Sequence, residues 1–232
     1  HLFRGSSALS VLLRAVPVAL IAASFAGEAN AQAVNWLGGN GNWNDAAKWS
    51  SGTVPHGVFP DATPTPTVIG PNTAGTVTIN TNNAVTRNIQ VGNGHTLQII
   101  SGGVLTTTPA ITSNSINTIG LAGIGTGTGT MLIDGANSRW DAGNAGVRVG
   151  NGATGTLTVS NGGVLNMTNG LLSVGLNASG KGTLNINGGT VTNPAAAIRL
   201  GFNGATGELN ITNGGSLTTT MLNHIGQTDV AG

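Results

Sequence analysis

The sequence has no cysteine and no tyrosine, and only 6% of its 232 residues are charged. Without cysteine no disulfide can staple the fold, so stability must come from size and repetition. The low charge lies far below the usual globular share of about 25%. Disorder does not follow, because disordered chains are poor in apolar residues and high in net charge. Here 39% of residues are hydrophobic and the formal net charge is +1. Lys48, Arg87, Arg139, Arg148, Lys181 and Arg199 are scattered singly along the sequence. Phosphate backbones require clustered Lys and Arg, so nucleic acid is not an expected partner. What the chain has instead is 39 glycines among many Thr, Asn, Val, Ile and Leu residues, a mixture that leans towards β-structure.

The start of the chain differs from the rest. Arg4 and Arg14 flank a basic start, the apolar run Val16 to Ala26 follows, and Ala29-Asn30-Ala31 offers a small-x-small cleavage pattern. This order is that of a secretory signal peptide over residues 1–31, and the run is shorter than the ~20 residues a membrane span needs. No other segment has the length and hydropathy to cross a bilayer as a helix. Removal of residues 1–31 takes away Arg4, Arg14 and Glu28, which leaves six cations and six carboxylates. The chain opens with His1 and stops at Gly232 in mid-pattern, so it reads as an N-terminal fragment.

Internal repetition is the main signal. Asn161-Gly162-Gly163, Asn187-Gly188-Gly189 and Asn213-Gly214-Gly215 recur at one constant spacing. Each follows a short alternating run: Gly155-Thr156-Leu157-Thr158-Val159, Gly182-Thr183-Leu184-Asn185-Ile186 and Gly207-Glu208-Leu209-Asn210-Ile211. An earlier copy runs from Gly129 through Met131 and Ile133 to Asp134-Gly135. A second run follows each turn, as in Val164 to Met167 or Thr190 to Thr192. A third ends in Val149-Gly150, Val174-Gly175, Leu200-Gly201 or Ile225-Gly226. Looser copies continue upstream through Ile119-Gly120, Ser101-Gly102-Gly103 and Val91-Gly92.

Period-two alternation puts Leu157 and Val159 on one face and Thr156 and Thr158 on the other. Asn-Gly is also a strong hairpin signal, but a meander of hairpins would not hold a three-strand phase over four copies. Stacked coils hold it directly. The sequence therefore predicts an all-β, right-handed parallel β-helix with three-strand coils of about 26 residues and outer ladders of Thr and Asn.

These units resemble the passenger-associated transport repeat of bacterial autotransporters. The segment Trp36-Leu37-Gly38-Gly39-Asn40-Gly41-Asn42-Trp43, with Trp49, Val54-Pro55 and Asp61-Ala62, resembles the Trp-rich opening of such passengers. The resemblance covers nearly all of the chain after residue 31 and is specific to the class, not to one activity. It implies export by the general secretory route, then passage through an outer-membrane β-barrel, with the cell surface of a Gram-negative bacterium or its surroundings as the destination. No barrel-like run of ~10-residue alternating segments with aromatic girdles occurs in this sequence. The expected partners are accordingly the secretion machinery and an outer-membrane β-barrel outside this chain, with glycans or solid surfaces as ligands.

Parallel β-helices also include polysaccharide lyases and hydrolases, which makes the chemistry-bearing residues relevant. Glycoside hydrolysis usually requires two carboxylates about 5–9.5 Å apart. Asp134 and Asp141 are the only close pair within the repeats, and Asp134 falls where other copies carry Ser160, Asn187 or Thr212, a turn position. His56, His95 and His224 stand alone without metal spacing; His95 and His224 read as surface residues. Gly123 to Met131 is Gly-rich but lacks the Lys-Ser/Thr of a phosphate loop. Trp36, Trp43 and Trp49 offer either sugar stacking or, better, a cap on the open end of the solenoid. The Pro-rich stretch from Val54 to Pro71 reads as a connector into the first coils, and Trp140 as a ring packed over a turn.

The expected organisation is a signal peptide at 1–31, a Trp/Pro-rich N-terminal cap at 32–74 and a truncated β-helical repeat passenger at 75–232. No catalytic, cofactor-binding or metal residue is assigned. The expected role is a surface-displayed, adhesin-like stalk, not an enzyme. The rival is the scaffold of a polysaccharide-degrading β-helix enzyme with its active site in further C-terminal coils. Surface binding through Thr106-Thr107-Thr108 and Thr218-Thr219-Thr220 ranks last, because those runs are contiguous and not alternating.

Overall fold

The computed structural model describes residues 33–56, 66–108, 116–124, 127–220 and 224–226. The expected signal peptide lies outside the described residues, as do Pro60, Asp61, Pro64 and Asp229. Within them the chain is a parallel β-solenoid of about six turns, built from three sheets of eight, seven and six strands.

Sheet 1 stacks Gly41–Asn42, Thr76–Ile79, His95–Ile99, Gly129–Asp134, Thr154–Ser160, Lys181–Asn187 and Thr206–Thr212. Sheet 2 stacks Ala84–Thr86, Val104–Thr107, Arg139–Gly143, Val164–Met167, Thr190–Asn193 and Ser216–Thr219. Sheet 3 stacks Val34–Asn35, Thr67–Ile69, Ile89–Val91, Ile116–Leu121, Gly146–Asn151, Leu172–Leu176, Ile198–Phe202 and His224–Ile225. The chain visits the sheets cyclically, so a strand hydrogen-bonds to strands one full turn before and after it. Hairpin pairing is absent among these described strands, and every strand-to-strand ladder is parallel; Ser160 alone adds an isolated antiparallel bridge, to Gly188.

The register carries the expected columns. Val77, Leu97, Met131, Leu157, Leu184 and Leu209 stand one above another in sheet 1, as do Ile79, Ile99, Ile133, Val159, Ile186 and Ile211. Down to Leu184 and Ile186 these side chains are buried. Sheet 3 adds Ile69, Val91, Ile119, Val149, Val174 and Leu200. One coil could not bury its own inward face; the coils above and below cover it.

The corners explain the glycines. Between sheets 3 and 1 the chain turns through Gly150 at φ +75° and re-enters a strand that includes Gly155. A Cβ on Gly155 would overlap the Ile119 carbonyl oxygen of the coil before and the amide of Gly150. The corner is thus closed by backbone against backbone, which only Gly permits. At the corner between sheets 1 and 2, Asn161 and Asn213 take left-handed φ of 51° and 50°, a conformation Asn tolerates. Asn187, midway between them in sequence, stays in its strand, paired in register with Thr212. The regular Asn-Gly-Gly spacing therefore hides a turn one residue shorter.

Coil length is less constant than the repeat suggests. Thr76 pairs with Thr96, Thr96 with Thr130, Thr130 with Thr156, Thr156 with Thr183 and Thr183 with Glu208. The step from Thr76 to Thr96 is the shortest and the next, to Thr130, the longest, yet no ladder is broken.

The Trp-rich segment joins the solenoid as its first rung. Val34–Asn35 pairs with Thr67–Ile69, and Gly41–Asn42 with Thr76–Ile79. A 3-10 turn at Ala46–Lys48, capped by the Asp45 carboxylate accepting from the Ala47 amide, brings Trp49 back to bridge Trp36.

Candidate functional site

Two placements correct the sequence reading. His95 is not at the surface: it is fully buried as the first residue of its sheet 1 strand. It occupies the column otherwise filled by Gly129, Gly155, Gly182 and Gly207. Its corner is different, formed by Asn93 and Gly94 at positive φ, which makes room for a side chain. The His95 Nε2 lies 3.3 Å from the Asn72 carbonyl oxygen. Trp140 does not lie over a turn either. It points into the core of sheet 2, in column with Leu105 and Leu165. Two small buried residues, Ala142 and Ala145, follow it in the same coil, with a register shift between Asp141 and Gly143.

Trp36, Trp43 and Trp49 are buried, with edge-to-face ring pairs at 5.0 and 4.9 Å. The Trp36 Nε1 donates to the Gly39 carbonyl and the Trp49 Nε1 to the Trp43 carbonyl. These rings close the first rung and present no open face for a sugar.

Asp134 and Asp141 stand on different sheets, each held within a ladder. Asp134 is in register with Ser160, and its Oδ1 accepts from the Ser160 hydroxyl at 2.6 Å and the Asn161 amide at 2.8 Å. Asp141 accepts from the Arg139 Nε at 2.8 Å and the Asn166 amide at 3.3 Å. The two carboxylates are thus engaged in separate ladders, on sheet 1 and sheet 2. Among the described residues no group of three or more His, Asp or Glu is placed to hold a metal ion. His56 is exposed, and His224 pairs by backbone with Arg199.

The outer faces carry polar ladders. Asn203 donates to Asn177 and Asn177 to Asn151, at 3.4 and 2.8 Å, along the corner that follows sheet 3. Asn213 and Thr212 both donate to the Asn187 side-chain oxygen at the next corner, at 2.5 and 3.3 Å. On sheet 2, Thr192 donates to Asn166, which donates to Asp141. On sheet 1, Asn210 reaches Asn185 at 3.0 Å, and Gln98 reaches Thr78 at 2.8 Å. An open groove of about 500 Å³ lies at the first rungs of sheet 1, lined by Asn40, Gly41, Asn42, Thr76, Thr78 and Gln98. With no titratable group in its lining, it offers hydrogen bonds and no acid–base chemistry.

Sheet 3 differs. Its outward column runs through Gln90, Thr118, Arg148, Ser173 and Arg199. Two cations isolated in sequence thus stand in one column, on either side of Ser173. Burial pushes the Arg148 pKa below the ordinary arginine value. The Arg199 guanidinium lies 4.4 Å from the centre of the Phe202 ring, and its buried Nε has no hydrogen-bond partner. Their separation, close to two repeats, is the signal in the sequence that joins them.

Compared with known family models, curated proteins and solved structures, the chain matches none of them. Among the described residues no helix is long and apolar enough to cross a membrane, which says nothing of strand-built barrels.

Proposed function

We propose that the chain is the β-helical stalk of an exported, surface-displayed passenger, adhesin-like and without catalysis of its own. The observation that carries this reading is the outer surface: Asn and Thr side chains bond from coil to coil in columns over a continuous apolar core. Such a body is a rigid rod with a repetitive polar exterior, suited to holding a binding surface away from a cell. Its stability needs no disulfide, which suits a chain threaded unfolded through a narrow pore. The basic start, the apolar run and Ala29-Asn30-Ala31 support export through the general secretory route, and the repeats support an autotransporter barrel as the outlet.

The test is a fusion of residues 1–232 to a leaderless alkaline phosphatase in a Gram-negative host. Active enzyme outside the cytoplasm, with cleavage after Ala31 abolished by Ala31→Arg, is the expected result. An inactive cytoplasmic fusion refutes export and, with it, the surface role.

A further inference from the structure

Among the described residues the outward face of sheet 3 carries two arginines and no carboxylate. Arg148 and Arg199 are half-buried, the first flanked by the inward Val147 and Val149 and the second by Ile198 and Leu200. The ion pair Arg139–Asp141 belongs to sheet 2. No described carboxylate lies on sheet 3. A cation partly removed from water without a counter-charge costs free energy, and a bound anion recovers it. The two positions are two ladder steps apart, roughly 9–10 Å at about 4.8 Å per step. Ser173 between them is small and buried, and the Phe202 ring holds the Arg199 guanidinium, so less side-chain freedom is lost on binding.

A second ladder runs beside the first. Asn151, Asn177 and Asn203 lie just beyond Arg148, Ser173 and Arg199 in their respective coils and rise along the same axis. Their amides are donors and acceptors stacked from coil to coil at the corner that follows the arginine column.

We propose that Arg148 and Arg199, together with the Asn151–Asn177–Asn203 ladder, form a binding site for an acidic polysaccharide lying along the solenoid axis. Uronate carboxylates are taken by the guanidinium forks, whose planar donors match a carboxylate in bidentate fashion. Sugar hydroxyls meet the amide ladder. The spacing of the two arginines is about the length of a disaccharide, so the polysaccharide's charges are read at every second unit. Nucleic acid fits less well, because two cations neutralise few phosphates and the Phe202 ring is covered, leaving no stacking platform. This site deepens the adhesive reading above and rests on it only for the setting in which the ligand is met.

The experiment measures binding of the folded full chain to polygalacturonate oligomers by calorimetry, with neutral dextran and a single-stranded oligonucleotide as comparators. Arg148→Gln and Arg199→Gln should each weaken polygalacturonate binding about tenfold, and the double variant should abolish it. Arg139→Gln and Lys181→Gln, cations on sheets 2 and 1, should leave it unchanged. Unaltered circular dichroism and denaturation midpoints confirm that each variant folds. Absence of binding to polygalacturonate, tighter binding to the oligonucleotide, or equal losses from Lys181→Gln each overturn the proposal. Lost binding with export intact rejects this site alone; failed export with binding intact rejects the surface role and leaves the site standing.

Discussion

The first rung and the coil from Thr206 to Ile225 cover the same kind of inward residue to different degrees. At the first rung Trp36, Trp43 and Trp49 are 0–1% exposed, locked edge to face and hydrogen-bonded through two of their indoles. In the coil from Thr206 to Ile225, beyond which no further coil is described, Ile211 is 46% exposed and Ile225 is 78% exposed, although each continues a column with buried members upstream. Lys181–Asn187 alternates between buried and accessible positions, whereas Thr206–Thr212, with nearly the same sequence pattern, has no buried position. Sequence alone therefore does not bury a residue here. A neighbouring coil does, or, at the first rung, a tryptophan cluster that takes its place.

Substitutions can break this comparison at graded cost. The largest effect is expected at a corner: Gly155→Val drives a side chain into the Ile119 carbonyl, and cooperative unfolding in denaturant should be lost or stability fall by well over ~3 kcal/mol. Gly214→Ala, where no atom lies within 4 Å, meets only the cost of a positive φ and should lose about 1 kcal/mol. Next comes the contrast between the first rung and the coil from Thr206 to Ile225. Trp49→Ala should cost about 3–5 kcal/mol by cavity formation, whereas Ile211→Ala, already half exposed, should cost less than about 1.5 kcal/mol. Equal losses at the two positions would show that the coil carrying Ile211 is covered in solution. Asn187→Ala removes the acceptor shared by Thr212 and Asn213 and should lower stability by about 1 kcal/mol. The smallest effect belongs to Arg139→Gln, whose exposed pair with Asp141 should be worth under about 1 kcal/mol, a difference that added salt should erase.

Much of the fold is legible because side chains in a parallel stack repeat what their neighbours need. Leu157, Leu184 and Leu209 announce one column, and Gly150, Gly175 and Gly201 one corner. Legibility fails where a coil departs from that repetition. The short step from Thr76 to Thr96 and the long one to Thr130 keep every ladder but erase the period from the sequence, because the difference in length falls outside the paired strands. His95 reads as a surface histidine because its column partners are glycines and nothing local marks the roomier corner at Asn93 and Gly94. Trp140 alternates correctly between Arg139 and Asp141, but ring size alone suggests a turn, and its place in the column of Leu105 and Leu165 shows only once the coils are stacked. Arg148 and Arg199 are hidden for the opposite reason: a sequence read linearly shows single charges, and only a sequence wound at its period shows a pair.

The stacking of strands across the solenoid axis also sets how the molecule bears load. Tension applied along that axis does not shear the ladders but opens them from an end, a few hydrogen bonds at a time. Hydrogen bonds that lie along the load open in succession, so coils joined only to their neighbours yield one rung at a time, and each released coil keeps its neighbour's strand edges as a template for re-pairing.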